Sequence, residues 1–125
     1  MYETILVVED EECIRELFCD ELMDNHYKVI TAKDGAETLK IIEEKMPDLI
    51  ILDIKLPDIT GTEILANIRQ YNAELPVIIC TAVLPPKLRT FFYRWANAII
   101  TKPVDLNLLL RKVKELLDAY EIIKP

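Results

Sequence analysis

The chain has 125 residues and about half are apolar, so it can bury one hydrophobic core without disulfides or metals. Its 22 acidic and 15 basic side chains give a net charge of −7, with no basic run suited to nucleic acid, so we expect no direct nucleic-acid contact. Apolar runs reach only about five residues, far below the roughly 18 that span a bilayer, and the N-terminus lacks a signal-peptide pattern. We therefore expect a single cytoplasmic domain over residues 1–125, with a core at about 3–121 and no membrane partner.

Several residue types are scarce, and this restricts the chemistry. The chain has no serine, one histidine (His26) and two glycines. These counts exclude a serine-hydrolase triad, a site with several histidine ligands, a Walker loop and a GxGxxG dinucleotide-binding loop. His26 follows the first predicted helix and is expected to be a solvated surface residue. Without CxxC spacing, the cysteines are predicted to be reduced, buried small hydrophobes rather than a disulfide: Cys13, Cys19 and Cys80.

Short apolar runs alternate with segments of helical periodicity. Continuous runs at 5–8, 49–52, 77–80 and 98–100 predict strands buried on both faces, and a more polar run at 27–32 predicts an edge strand. The order is therefore βαβαβαβαβα. The apolar positions expected on the inner helix faces are Ile14, Leu17, Phe18 and Leu22, then Ala36, Leu39 and Ile42, then Ile64, Leu65 and Ile68, and finally Leu106, Leu109, Leu110, Val113, Leu116, Leu117 and Tyr120.

Residues typical of helix N-caps stand where the predicted helices begin, except around residues 84–96. Two prolines exclude a helix before Pro86, and the aromatic run at 91–95 follows directly. Neighbouring side chains on a helix point about 100° apart, so some of these rings are expected to be exposed or at an interface. The predicted N-caps are Asp34, Thr60 and Asp105.

Strands and helices in alternation require crossover connections, so the elements predict a parallel sheet with helices on both faces, the doubly wound α/β class. Ligands in such sheets bind outside the carboxyl ends of the strands. Any one polar residue there is typical of a helix cap or a solvated loop, but their combination at four strand ends indicates a site. These residues are Glu9 and Asp10, Asp53, Thr81, and Thr101 with Lys102.

The types of residue at these strand ends indicate a metal-assisted phosphoryl site. Three carboxylates at one edge repel one another unless a cation lies between them, and an all-oxygen set suits Mg²⁺ or Mn²⁺. A lysine and a hydroxyl beside such a metal are what an anionic phosphoryl group needs, and a carboxylate can be its acceptor.

Four motifs in order resemble the receiver domain of two-component response regulators, and the match covers essentially the whole chain: ILVVEDE at 5–11, LDIKLPDITG at 52–61, TA at 81–82 and TKP at 101–103. The resemblance implies a flavodoxin-like (βα)₅ fold with strand order 2-1-3-4-5. It implies that Asp53 accepts a phosphoryl group from a sensor histidine kinase or phosphotransfer protein. Such a domain is not an enzyme but a phosphoacceptor that assists its own phosphorylation and dephosphorylation.

The same resemblance implies a ligand set for Mg²⁺ or Mn²⁺. Asp10 and Asp53 would bind the metal through carboxylates and Lys55 through its backbone carbonyl. Glu9 would act directly or through water, and it is longer than the aspartate more usual at this position.

The resemblance also implies three contacts to the phosphoryl group. Lys102 would pair with its oxygens as a point charge, while the Thr81 hydroxyl and the Ala82 backbone N–H would bind another oxygen. Positioning and charge neutralisation would then carry the transfer.

Departures from the family pattern concern output. Ile99 stands at the position of the usual switch tyrosine or phenylalanine, Trp95 stands where a glycine is expected, and the segment from Thr81 to Lys102 is one residue short. We expect output through a downstream protein, a covalently linked effector domain, or a homodimer built from the fourth helix, last strand and last helix.

Two other functions remain open from the sequence. A pseudo-receiver would keep the fold and signal without phosphate, and Ile99 is compatible with it. A metal-dependent phosphohydrolase with an aspartate nucleophile would require a second acid two residues after Asp53, and Lys55 argues against it.

Overall fold

Five strands and five α-helices alternate along the chain, as predicted. The computed structural model describes residues 2–125, and none of the helices in that range is both long and apolar enough to cross a membrane. The elements are β1 (Thr4–Val8), α1 (Glu12–Asp24), β2 (Lys28–Ala32), α2 (Gly35–Glu44), β3 (Leu49–Leu52), α3 (Gly61–Tyr71), β4 (Val77–Thr81), a 3₁₀ turn (Pro86–Leu88), α4 (Arg89–Trp95), β5 (Ala98–Thr101) and α5 (Leu106–Ile123).

All five strands form one parallel sheet in the order β2-β1-β3-β4-β5, which confirms the predicted fold class. The chain first pairs β2 beside β1 and then places β3 on the other side of β1. The strand order therefore reverses between β1 and β3, and this is the point at which open α/β sheets bind ligands.

The core lies on both faces of the sheet because successive side chains of a strand point to opposite sides. Ile5 and Val7 of β1 pack in the cluster that contains Phe18 of α1. Leu6 and Val8 pack in the cluster that contains the inner faces of α2, α3 and α4. The central strands β1, β3 and β4 are almost entirely buried, whereas the edge strands β2 and β5 are partly exposed.

The predicted helix caps and the mixed exposure of the aromatic run are confirmed. Each predicted cap side chain accepts a backbone N–H at the start of its helix: Asp34, Thr60 and Asp105. In α4, Phe92 is buried while Tyr93 and Trp95 are 64% and 42% exposed. His26 is exposed, as predicted.

Some predictions of helix burial are wrong. Leu17 of α1 is 49% exposed and Cys13 is exposed as well, because the row that faces the sheet contains Phe18 and Leu22, four residues apart. Ala36 of α2 is also exposed, since that helix buries Gly35, Thr38 and Ile42 instead. Among the cysteines only Cys80 is buried, Cys19 is half-buried, and all three thiols are free.

These environments predict very different thiol reactivity. Burial raises the pKa of Cys80 to about 12, so its reactive thiolate is scarce at neutral pH and also inaccessible. A maleimide reagent under native conditions should modify Cys13 first and Cys80 only after denaturant is added, as read by peptide mapping. Cys13→Ala should remove the fast phase. Rapid native labelling of Cys80 would contradict the burial of β4.

Candidate functional site

Backbone hydrogen bonds continue past the ends of the strands and fix the positions of the predicted site residues. The Glu9 N–H donates to the Ala32 carbonyl and the Asp53 N–H to the Val8 carbonyl, each at 3.0 Å. The Lys102 N–H donates to the Thr81 carbonyl at 2.8 Å. These bonds hold residues from four different strand ends at the same edge of the sheet, beside the reversal in strand order.

Three carboxylates meet at this edge. Glu9, Asp10 and Asp53 each offer one oxygen, and these oxygens all lie within 4.8 Å of one another. Glu9 is only 1% exposed and Asp53 is buried, whereas Asp10 faces solvent. A hard divalent cation fits this all-oxygen donor set, and the exposed Asp10 leaves the cluster open to ions from solution.

Lys102 joins two of the three carboxylates. Its Nζ lies 2.6 Å from Glu9 Oε1 and 2.9 Å from Asp53 Oδ2. Burial acts to lower the pKa of Lys102, but these two ion pairs outweigh it and the pKa is raised, so the ammonium remains charged. Burial, together with repulsion from Asp53, raises the pKa of Glu9, although the hydrogen bonds from Lys102 and from the Glu11 N–H act to lower it.

Backbone N–H groups orient the two buried carboxylates. The Lys55 N–H donates to Asp53 Oδ1 at 3.0 Å, and the Glu11 N–H donates to Glu9 Oε2 at 3.1 Å. Both oxygens of Asp53 therefore have a partner, since Lys102 binds Oδ2. This arrangement holds the Asp53 carboxylate in a defined orientation at the rim of the cavity beside it.

A cavity of about 290 Å³ opens beside these groups. The buried Thr81 hydroxyl donates to the Val83 carbonyl at 3.1 Å and lies in the cavity wall, next to the exposed Ala82. Glu9 is buried beneath Lys102 and does not line the cavity. The structure thus brings all seven predicted site residues to one edge, six of them around the cavity: Asp10, Asp53, Lys55, Thr81, Ala82 and Lys102.

The family model of the response regulator receiver domain matches residues 5–114 of this chain. The chain belongs to that family. As a receiver domain it works in two-component signal transduction, where such domains are phosphoacceptors rather than classical enzymes.

Two curated relatives can be aligned with nearly the whole chain. Response regulator RR06 of Streptococcus pneumoniae is 36% identical over 96% of this chain and 55% of that protein. The alkaline phosphatase synthesis transcriptional regulatory protein PhoP of Bacillus subtilis is 38% identical over 100% of this chain and 52% of that protein. The chain spans about half the length of these curated relatives.

A solved structure shows the same fold along the entire receiver domain. The CheY-like response regulator receiver domain protein from Methanospirillum hungatei has a TM-score of 0.93 and 34% identity. The match covers 97% of this chain and 98% of that one. It independently supports the five-stranded topology described above.

The sequence interpretation missed two residues that support the site of this receiver domain. Arg15 of α1 donates from Nη1 to the Glu9 carbonyl at 2.8 Å and approaches the Asp10 carbonyl at 3.4 Å. Helical side chains lean toward the N-terminus of their helix. The position of an arginine in the first turn of α1 could therefore have indicated a contact with the residues just before that helix. Asp58 accepts the Gly35 and Ala36 N–H groups and ties the loop after β3 to α2. The sequence gives no local indication of this contact, because Gly35 and Asp58 are 23 residues apart.

Proposed function

We propose that Asp53 accepts a phosphoryl group from a sensor histidine kinase or a phosphotransfer protein, in a reaction that depends on Mg²⁺ or Mn²⁺. One observation carries the proposal. The Asp53 carboxylate lines a cavity, with its Oδ2 at 2.9 Å from a lysine ammonium and one oxygen within 4.8 Å of oxygens from two further acids. An acceptor carboxylate, a fixed cation and an acidic ligand set are the groups that phosphoryl transfer needs.

In this mechanism an Asp53 oxygen forms a bond to phosphorus as the bond between phosphorus and the donor nitrogen breaks. The electron pair of that broken bond stays with the donor. Lys102 then pairs with the phosphoryl oxygens, and the Thr81 hydroxyl and Ala82 N–H bind another oxygen. Because the chain supplies little covalent chemistry beyond the acceptor, its contribution is orientation and charge neutralisation.

The residues that would hold the metal are Asp10 and Asp53 through their carboxylates, Lys55 through its backbone carbonyl, and Glu9 directly or through water. The oxygen-only donor set supports this assignment. When bound, the ion neutralises charge on the carboxylates and on the phosphoryl oxygens. Lys102 is already paired with Glu9 Oε1 and with Asp53 Oδ2, so Asp10 is the one acid of the three that forms no ion pair within residues 2–125.

The proposal is tested by intact-mass spectrometry after incubation with acetyl phosphate. We expect one added phosphoryl group in the presence of Mg²⁺ or Mn²⁺ and none in EDTA, because the carboxylate cluster repels an anionic donor until a cation is bound. Ca²⁺ at equal concentration controls for charge alone, since it prefers longer bonds and more ligands. The absence of labelling under all conditions would favour the pseudo-receiver.

We further propose that output passes through a downstream protein, a linked effector domain or a homodimer, at the face formed by α4, β5 and α5. Support comes from the exposed Tyr93 of α4 and from the greater length of the relatives, one of which is named a transcriptional regulatory protein. Ile99 lies half-buried in the core cluster beneath α4, so a swing of an aromatic ring at this position is not available. The single-domain extent and the cytoplasmic location stay predictions.

Trp95 is the only tryptophan, and it reports on the position of α4 from the side of that helix that faces α3. Beryllofluoride with Mg²⁺, which stands in for the phosphoryl group, should change Trp95 emission because Thr81 leaves the Val83 carbonyl for the bound anion and alters the loop before α4. Fluorescence titration with Mg²⁺ alone is the control. Unchanged emission together with an unchanged sedimentation coefficient would contradict output through α4.

A further inference from the structure

A groove runs between α3 and α4 on the face of the sheet that carries these helices. Its first hollow, of about 620 Å³, lies between the loop after β3 with the start of α3, residues 54–62, and the segment that leads into α4, with Leu88 of the 3₁₀ turn and Phe92 of α4. A second hollow, of about 260 Å³, lies one helical turn further along, between Leu65 and Ala66 of α3 and Phe91 and Trp95 of α4. The two hollows are thus successive along the same pair of helices.

The second hollow is almost entirely apolar, and the first combines apolar residues with polar ones from the loop after β3. In the second hollow, apart from Arg69, the lining residues are aliphatic or aromatic. At the first hollow Val83, which is 71% exposed, and Leu88 add apolar surface at the rim. Exposed apolar surface of this kind is typical of protein interaction sites.

The α4 side of the groove is basic although the chain as a whole is acidic, and the loop after β3 brings one residue of each charge, Lys55 and Asp58, to the first hollow. The chain carries −7, yet residues 75–104 contain four basic side chains and no acidic one. Lys87 and Arg94 are exposed, and neither is among the cations that form ion pairs in residues 2–125. The Arg94 guanidinium lies 5.1 Å from the centre of the Trp95 ring, at the edge of the second hollow.

We propose that this α3–α4 groove binds an acidic, amphipathic helical segment of a partner protein. Two hollows one turn apart match apolar side chains at positions i and i+4 of a helix. Acidic residues on the flanks of that helix would then meet Lys87 and Arg94, which have no acidic neighbour in the sequence around α4. Charge complementarity selects an acidic segment over a basic one, and the apolar floor provides the binding energy.

The groove adjoins the candidate phosphoryl cavity but has a different floor. Lys55 and Val83 line both the first hollow and the cavity beside Asp53. None of the three groups that form the groove floor, Leu65, Phe91 and Phe92, lines that cavity. Binding of the segment therefore requires no phosphoryl transfer, and its failure would leave the proposed function untouched.

The probe is a fluorescein-labelled 14-residue helical peptide with leucines at positions i, i+4 and i+7 and glutamates elsewhere on its surface. A second peptide carries the same leucines with lysines in place of the glutamates. By fluorescence anisotropy we expect saturable binding of the acidic peptide and at least about tenfold weaker binding of the basic one. Equal affinity for both peptides would overturn the proposal, because the groove would then show no charge selection.

Two variants test where the peptide binds. Ala66→Glu places a carboxylate in the second hollow at an exposed helix position, and Arg94→Glu reverses the charge at its edge; each should weaken binding by about tenfold. The matched control is Arg111→Glu, which makes the same charge change on α5, against the opposite face of the sheet. Equal weakening by Arg94→Glu and Arg111→Glu would show attraction to net charge alone and overturn the assignment to the groove. Urea melting curves verify that the variants remain folded.

Discussion

Asp53→Asn should abolish phosphoryl labelling by acetyl phosphate. The amide has the shape of the carboxylate, so it still accepts the Lys55 N–H, which lies 3.0 Å from Oδ1 in the wild type. It lacks the anionic oxygen that forms the bond to phosphorus, and it removes one charged oxygen from the cluster of three acids. The loss of labelling is therefore expected to be complete on the time scale of the wild-type reaction, as measured by intact mass.

The matched control is Asp34→Asn. Asp34 caps α2 by accepting the Glu37 N–H, and asparagine caps helices about as well as aspartate, so this variant should be labelled at the wild-type rate. Labelling of Asp53→Asn near the wild-type rate would refute Asp53 as the acceptor. Slow labelling of a different residue would show only that a weaker acceptor exists.

Lys102→Met should lower the free energy of unfolding by about 3 kcal/mol at neutral pH, because removing one partner of a buried ion pair leaves an uncompensated charge. Glu9 is 1% exposed and its Oε1 has the Lys102 ammonium as its partner at 2.6 Å. Asp53 loses a partner in the same variant. Urea denaturation in EDTA gives the free energy, and methionine preserves most of the aliphatic volume of the side chain.

A second substitution separates the charge effect from a packing effect. Glu9→Gln in the Lys102→Met background removes the unpaired buried carboxylate and should restore a large part of the lost free energy of unfolding. Millimolar Mg²⁺ should also stabilise Lys102→Met, since an ion that binds only the folded state raises its stability by mass action. A double variant no more stable than Lys102→Met would indicate that Lys102 matters for packing rather than for charge.

The order of elements could be predicted from the sequence because each signal is local. Four-residue runs such as Leu49–Leu52 can be buried on both sides only within a sheet covered by helices, and the structure buries that run completely. Caps such as Asp34 act within three or four residues, and the structure shows them. The candidate site could also be predicted, because parallel strands end at the same edge and the motif residues follow those ends.

The sequence did not determine which side of α1 faces the sheet. Leu17 and Phe18 are neighbours and both apolar, so periodicity alone could not tell which one faces the sheet. The structure buries Phe18 and exposes Leu17, because the helix can turn only one stripe toward the strands.

The sequence by itself determined the class of fold and the group of residues at the strand ends, since both follow from local patterns. Only the tertiary structure decided that Lys102 pairs with Glu9 as well as Asp53, across 93 and 49 residues. It also decided that Arg15 folds back onto the Glu9 carbonyl and that α3 and α4 leave an apolar groove between them. These features depend on distances between elements that are far apart in the chain, and such distances are set by the packing of the whole core.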